Sequence, residues 1–442
     1  MNKLKIDSKD FYNMISYSLG MLKEKEQEIN ELNVFPVPDG DTGTNMRKTL
    51  ESGLTNVNQE EDISTFLSKL SSNMLVGARG NSGVILSMIF KGISRSIKNK
   101  KDIDTNDFLN ALKSAKDYVY SKLKNPVEGT IITVLKKSIL IDDVEEDFND
   151  LLSHILKLSK IALDETPNEL KVLKDAHVID AGGYGLYTIY FGMLSYLKGD
   201  YQSINISYDK ATKIRYKDVK KDKKITYIVY STGSLMKETF FDLGADVVLD
   251  CPITINPSTQ EIIDAINKLN SEYIIILPND KNAFLTTELA LKILNKRNIY
   301  LLETKSLAEG YFALSMMLNT SDDIDATISS MKKGLNNTTT IKIIEASKTS
   351  SYNGKEYNKG DFMAITDDDI LFISNNLEEL VKKTLFKIDL SDKEIIAMFS
   401  GDNVDDNLKD DITNYVYDNY DNIDIGIIDG GFLNILFVIG IC

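Results

Sequence analysis

Over the first two hundred positions, apolar residues recur at spacings of three and four. Phe11, Ile15, Leu19 and Leu22 follow one another at intervals of 4, 4 and 3, one face of an α-helix, and Asp7 or Ser8 stands where its N-cap belongs. The same period predicts helices over about 44–54, 62–77, 83–97, 105–123, 128–140, 147–164 and 183–198, with no convincing strand before residue 200. Eight helices joined by short Gly- or Pro-marked connections predict an all-α bundle or barrel. Beyond residue 224 the period changes. Short apolar runs at Ile225–Tyr230, Val247–Leu249, Ile274–Leu277 and Ile299–Leu302 alternate with helical patterns over 233–243, 258–269, 281–295 and 306–317. That rhythm predicts βαβ units on a parallel sheet. Past residue 338 it turns toward hairpins, with Asn353-Gly354 as a type I′ turn signal. A helix near 376–386 and strands near 394–399, 423–428 and 435–439 complete an α/β or α+β domain.

The chain is therefore expected to be multi-domain, α plus α/β, with a helical domain over 1–200 and an α/β domain over 225–442. Its 442 residues allow two or three domains. Between the two lies 201–224, with eight basic residues against three Asp, which reads as an exposed basic linker. The nine Asp and single Lys of 401–430 read as a solvated acidic face.

Composition narrows the function classes. The net charge of −15 has the wrong sign for nucleic-acid binding. Two cysteines, Cys251 and Cys442, cannot build a disulfide framework, and with His154 and His177 they show no paired metal-ligand spacing. The N-terminus has no secretory pattern, and no apolar stretch is long enough to span a membrane, so a cytoplasmic protein without a transmembrane segment is expected.

Chemistry is densest in Asn33-Val34-Phe35-Pro36-Val37-Pro38-Asp39-Gly40-Asp41-Thr42-Gly43-Thr44-Asn45-Met46. Asp39 and Asp41 flank a glycine, so both carboxylates can turn toward one point, and paired hard oxygen ligands suit Mg²⁺. Gly43, Thr44 and Asn45 then open a helix whose free N–H groups and positive dipole end favour phosphate. An ordinary Asp-Gly turn capping a helix is the plainer reading of such a triplet; the 14-residue context argues against it here. Gly77-Ala78-Arg79-Gly80-Asn81-Ser82-Gly83 can lay backbone N–H groups against phosphate, with Arg79 neutralising charge. Taken alone it reads better as a helix C-cap followed by an N-cap at Ser82. Glu128-Gly129-Thr130 and Asp180-Ala181-Gly182-Gly183-Tyr184-Gly185 each precede a predicted helix. Asp180 is equally a third functional carboxylate or a plain N-cap, and His177 just upstream reads as structural. In the second half, Asn256-Pro257-Ser258-Thr259, Leu277-Pro278-Asn279-Asp280-Lys281-Asn282 and Glu303-Thr304-Lys305 follow predicted strands, where open sheets place ligands. Helix capping by Ser258, Asn279 and Ser306 is the reading that physics alone favours.

The four N-terminal segments, in this order, resemble the ATP-binding domain of the dihydroxyacetone kinase family, and in particular the ATP-binding subunit of bacterial fatty acid kinase. The likeness covers about residues 5–200, and INPST, ILPNDKN and ETKSLAEG in the second half resemble the C-terminal domain of that branch, itself similar to the fatty-acid-binding partner family. The resemblance implies an eight-helix barrel holding ATP and Mg²⁺ at one end. It implies Asp39 and Asp41 as the metal carboxylates, and Thr42, Thr44 and Asn45 as nucleotide or phosphate contacts. Gly80, Asn81 and Ser82 would cover the phosphates, Thr130 would be a further nucleotide-side contact, and Asp180 and Gly182 would close the site. Dihydroxyacetone kinases hold metal with a third Asp just upstream, where this chain has Asn33. A middle domain with Cys and His metal ligands, usual in the fatty acid kinase branch, is expected to be missing.

The resemblance thus implies phosphoryl transfer from ATP to a fatty acid carboxylate with Asp39 and Asp41 at the reacting centre, where Arg79, on the reading of the residues themselves, would neutralise charge. A carboxylic acid of pKa about 4–5 is already ionised at neutral pH and needs no strong base. The acyl chain would arrive in a separate fatty-acid-binding protein, and a homodimer is compatible with this reading. Two alternatives stand beside it: a dihydroxyacetone kinase subunit, and a nucleotide-binding regulatory protein without turnover.

Overall fold

The computed structural model describes residues 3–35, 40–59, 61–199, 213–216, 223–251, 256–319, 323–346, 349–352, 354–366, 369–390, 392–420, 422–433 and 435–442. It is a mixed α/β structure with sixteen α-helices among the described residues. The chain divides into two compact units. One is Met1–Ala211 together with Thr254–Gln260; the other is Thr212–Ile253 together with Glu261–Cys442.

The first unit is helical. A two-residue strand β1 (Ile6–Asp7) leads into α1 (Ser8–Glu31), followed by α2 (Thr42–Gly53), α3 (Ile63–Gly77) and α4 (Gly80–Ser96). After β2 (Asp102–Ile103) come α5 (Thr105–Lys122), α6 (Ile131–Ser138), α7 (Phe148–Glu169), α8 (Lys171–Asp175) and α9 (Ala181–Lys198). Each of the eight expected helices is present, and the five-residue α8 is additional. The expectation of no strand before residue 200 is corrected by β1 and β2, which pair antiparallel through Ile6 and Ile103. Two-residue strands carry too little alternation to be seen in a sequence. Asp7 caps α1 in a reciprocal capping box with Asp10, and Asp104 does the same for α5 with Asp107. Phe11, Phe66, Phe108 and Phe148 are all buried and meet ring to ring, Phe11 with Phe66 at 6.2 Å and Phe108 with Phe148 at 6.0 Å. Phe11 also lies 6.4 Å from Phe108, so one aromatic cluster ties α1, α3, α5 and α7.

Among the described residues the second unit holds two larger sheets and one two-stranded hairpin. The first contains β3 (Lys213–Tyr216), β4 (Ile225–Ser231), β5 (Val247–Asp250), β6 (Tyr273–Leu277) and β7 (Ile299–Leu301), in the order β3-β5-β4-β6-β7. All neighbours are parallel except the β3–β5 edge pair. Its helices are α10 (Met236–Asp242), α11 (Thr259–Asn267), α12 (Lys281–Leu294) and α13 (Leu307–Ser315), with a 3₁₀ turn at Met316–Asn319 and then α14 (Ile324–Asn337). Within the stretch 201–224, four residues form the edge strand β3, while most of the rest lies outside the described residues. The second sheet follows with β8 (Thr339–Glu345), β11 (Phe362–Ile365), β12 (Ile370–Ser374), β13 (Ile395–Gly401), β14 (Asp424–Phe432) and β15 (Ile435–Ile441), in the order β12-β11-β8-β15-β13-β14. The hairpin β9 (Ser350–Tyr352) and β10 (Lys355–Tyr357) turns at Gly354 with φ +77°; Asn353 lies outside the described residues. Helices α15 (Leu377–Lys387) and α16 (Asp406–Asn419) complete the unit.

Strand alternation builds its layers. Tyr227 and Val229 face one core with Phe240, Phe312, Phe399 and Val438, while Ile228 and Tyr230 face another with Ile262 and Ile266 of α11. Met398, Phe437 and Ile439 pack against Leu385 of α15 and Val416 of α16. The acidic stretch 401–430 therefore hides a helix: Ile412 and Val416 are buried, and Asp405 is its N-cap, accepting from Asn407 N at 3.0 Å. Among the described residues no helix is long and apolar enough to cross a membrane.

Replacing Phe108 by Ala removes the ring that joins Phe11 to Phe148. A loss of about 3–5 kcal/mol is expected in the urea-unfolding transition of the helical unit. A shift below about 1 kcal/mol would show that the cluster is not the unit's core.

Candidate functional site

Helix α2 begins directly after Asp41, at a turn where Gly40 takes φ +66°. Asp41 occupies the N-cap position, but its carboxylate makes no capping bond to the helix. Asn30 of α1 does that work from outside. Its Oδ1 accepts from Gly43 N at 2.7 Å and from Thr44 N at 3.2 Å. Its amide donates to Thr44 Oγ1 at 3.0 Å, and the Thr44 hydroxyl donates to Glu26 Oε1 at 2.7 Å. Glu26 in turn pairs with the buried Arg47, which also bonds Glu51 at 3.1 Å. A Cβ on residue 43 would stand 2.5 Å from the Glu26 carbonyl, so glycine lets α2 lie on α1 closely enough for this network. The expected free N–H groups at Gly43 and Thr44 are thereby corrected: both are already donated to a side chain.

Asp41 is 3% exposed, and its Oδ2 accepts a hydrogen bond from Asn256 Nδ2 at 2.6 Å. Asn256 belongs to the segment Thr254–Gln260 that groups with the helical unit. Its carbonyl accepts from the Arg79 guanidinium at 2.7 Å, and Arg79 N donates to Thr49 Oγ1 of α2 at 3.2 Å. Asn45 is 1% exposed, and its Oδ1 has no hydrogen-bond partner among the described residues. Gly80 has φ +55°, and a Cβ there would stand 2.3 Å from Asn45 Nδ2, so both backbone and space call for glycine. Helix α4 starts at Gly80, three residues earlier than expected. Ser82 is therefore not its cap but sits with Asn81 in the first turn, both partly exposed.

Asp180 is the N-cap of α9 and accepts from Gly183 N at 2.6 Å. Its own N–H donates to Thr166 Oγ1 at 3.0 Å. Burial pushes its carboxyl up to about 7, against the pull of the Gly183 and Ile131 backbone N–H groups. Ile131 opens α6, so one carboxyl serves the starts of two helices. Thr130, in the N-cap position of α6, turns its hydroxyl to Val127 O at 2.8 Å. Glu128 accepts from Tyr120 at 2.8 Å, from Lys136 at 2.9 Å and from Thr133 at 2.5 Å. Burial acts to raise its carboxyl, but those donors outweigh it and hold the group below the usual range. His177 takes φ +54° in the turn after α8, a backbone role.

Close approaches join these pieces. Gly80 of α4 abuts Asn45 of α2, a Cβ at Gly185 of α9 would stand 2.4 Å from Met46 Sδ of α2, and one at Gly182 would stand 3.3 Å from Ile131 of α6. The first turns of α2, α4, α6 and α9 thus meet at one pole, bringing together Asp41, Thr42, Thr44, Asn45, Arg79, Gly80, Thr130, Asp180 and Gly182. Four positive helix ends on one spot favour an anion. Asp39 lies outside the described residues. Among the described residues no group of three or more His, Cys, Asp or Glu side chains is gathered as a metal cage. Sequence reading missed Glu26, Asn30 and Asn256 as members of this pole. Glu26 and Asn30 share one face of α1 one turn apart, a faint signal. Asn256 read as part of a strand-end loop, and nothing in its spacing pointed to the helical unit.

In the second unit, Asn279 is not the cap of α12. Asp280 is, accepting from Asn282 N at 2.6 Å, while Asn279 takes φ +54° and donates to Tyr230 O at 2.9 Å. Ser306 does cap α13.

Asn30→Ala should cost about 1–2 kcal/mol by stranding the Gly43 and Thr44 donors, read by thermal or urea unfolding. Asp180 gives a pH test. Its carboxyl stays protonated up to about pH 7 when folded, but only to about 4 when unfolded. Its contribution to stability is therefore complete below pH 4 and is lost as pH rises through 7. Wild type should lose stability relative to Asp180→Asn between pH 4 and 7.5; parallel denaturation profiles would overturn this.

Comparison with known proteins agrees with the sequence resemblance. Residues 36–195 match the family model described as the DAK2 domain, and residues 226–441 match the model of the FakA-like C-terminal domain of fatty acid kinase. Protein YloV of Bacillus subtilis is 26% identical over 538 aligned positions, covering 96% of this chain and 97% of that protein. An uncharacterized protein of Staphylococcus saprophyticus, SSP1546, is 28% identical over 539 positions, covering 96% and 97%. With 442 residues against 538 aligned positions, at least 96 positions of the B. subtilis protein have no counterpart here. Among solved structures, the dihydroxyacetone kinase of C. freundii, in complex with AMP-PNP and Mg²⁺, has a TM-score of 0.41 at 13% identity. That likeness covers 53% of this chain and about half, 51%, of that one. The chain thus carries a match to the DAK2 domain followed by a match to the FakA-like C-terminal domain.

Proposed function

We propose that the chain transfers the γ-phosphoryl group of ATP to a fatty acid carboxylate presented by a separate fatty-acid-binding protein, giving an acyl phosphate and ADP. The observation that carries this reading is the convergence of four helix starts on one pole with the buried Asp41 among them. The residues there fit a nucleotide and its divalent ion. Asp41 is a carboxylate with little water around it, Asn45 Oδ1 is a buried acceptor with no partner among the described residues, and Gly80 and Gly182 keep two helix starts free of side chains. Asp41, with Asp39, would hold Mg²⁺, which when bound neutralises phosphate charge.

In this reading residues 1–200 form the ATP-binding domain, 201–224 a basic linker region and 225–442 the C-terminal α/β domain. One carboxylate oxygen of the acceptor forms a bond to the γ-phosphorus. The bond from that phosphorus to the β–γ bridging oxygen breaks, and its electron pair leaves with ADP. No proton has to be removed, which accords with a pole that offers no His or Lys base among the residues gathered there. The chain's contribution is positioning and charge. Arg79 and the helix starts supply positive charge, and burial, by raising the Asp180 carboxyl to about 7, lowers the negative charge it carries there. Positions of the B. subtilis protein without a counterpart here support the reading that the middle domain is missing.

ATP consumption with Mg²⁺, a long-chain fatty acid and its binding protein should fall at least about 100-fold in Asp41→Ala, with the melting temperature retained. Unchanged turnover would overturn the metal assignment. Consumption only with dihydroxyacetone and its own subunit would overturn the acceptor, and nucleotide binding with no turnover for either acceptor would favour a regulatory protein.

A further inference from the structure

We propose that Asn256 is a positioning residue of the Asp41 pole, fixing the orientation of the Asp41 carboxylate and the Arg79 guanidinium together. This rests on Asp41 being a metal carboxylate.

The segment that delivers Asn256 is anchored at both ends of a short span. Asn256 Nδ2 donates to Asp41 Oδ2 at 2.6 Å, and its carbonyl accepts from Arg79 at 2.7 Å. Three residues on, Thr259 N donates to Ala78 O at 3.2 Å, and Thr259 is fully buried. Pro257, between these anchors, disfavours a helical backbone at Asn256 and so helps keep its amide and carbonyl aimed apart. Gly80 leaves room for the amide: a Cβ there would stand 3.3 Å from Asn256 Nδ2. One residue thus holds one side chain from the start of α2 and another from the start of α4.

An amide donor suits this task. An amide donor on Oδ2 restrains the rotation of the carboxylate and adds no charge of its own beside it. Hydrogen bonds of this kind orient ligating carboxylates, and their removal typically lowers metal affinity about 10–100-fold. Because Arg79 is held by the main-chain carbonyl, a side-chain substitution at 256 strips the contact to Asp41 alone.

The test is equilibrium binding of a nonhydrolysable ATP analogue to the full chain, with and without Mg²⁺. In Asn256→Ala the enhancement of binding by Mg²⁺ should shrink about 10-fold or more, while binding without Mg²⁺ stays within about twofold. Asn256→Leu, which fills the same space without a donor, should behave alike and covers the case in which the Ala variant does not fold. Adding Asn256→Ala to Asp41→Ala should cause no further loss, because the amide acts through that carboxylate. The inference is overturned if both Asn256 variants keep the wild-type enhancement while Asp41→Ala loses it. If Asp41→Ala also keeps it, the metal reading fails first and takes this one with it.

Discussion

The helical unit is organised by the backbone N–H groups that every helix leaves unpaired at its start. Helices α2, α4, α6 and α9 begin at the same pole, so their unpaired donors and positive dipole ends accumulate in one small, water-poor region. Some of that charge is met internally. Asn30 takes two donors of α2, and Asp180 serves α6 and α9. The remainder explains why an anionic ligand suits the pole and why its side chains are so restricted: glycine where helices touch, small polar groups elsewhere.

Acid groups at this pole are divided by environment. Asp41 accepts an amide hydrogen bond on one oxygen, while burial raises the Asp180 carboxyl to about 7. The division makes Asp180 a scaffold carboxyl that serves the starts of both α6 and α9.

Much of this was legible in the chain. The spacing of Phe11, Ile15, Leu19 and Leu22 gave α1, and the runs at Ile225, Val247, Ile274 and Ile299 gave the parallel strands, because burial on one or both faces imposes its period directly. Besides the five-residue α8, two longer helices escaped for different reasons. In α16 the count of aspartates obscured Ile412 and Val416, although amphipathic helices tolerate any number of charges on their wet face. In α14, Ile324, Ile328, Met331 and Leu335 carry the right period but sit outside the strand–helix alternation that organised the reading. At the pole, motifs located Asp41, Arg79, Gly80 and Asp180, since turn chemistry and carboxylate pairs are local. Asn30 left only a faint signal and Asn256 none, because their partners lie 13 and 215 positions away and an isolated asparagine says nothing of its distant neighbour.

The small return segment of Thr254–Gln260 makes the helical unit discontinuous in sequence. Excising the first two hundred residues as a free-standing piece would carry away every helix of the pole yet leave behind the amide that steadies Asp41. The natural grain of this protein for cutting or fusing is consequently not the polypeptide order but the closure of that loop. Swapping the second half for a foreign one would have to import an equivalent hand to reach back.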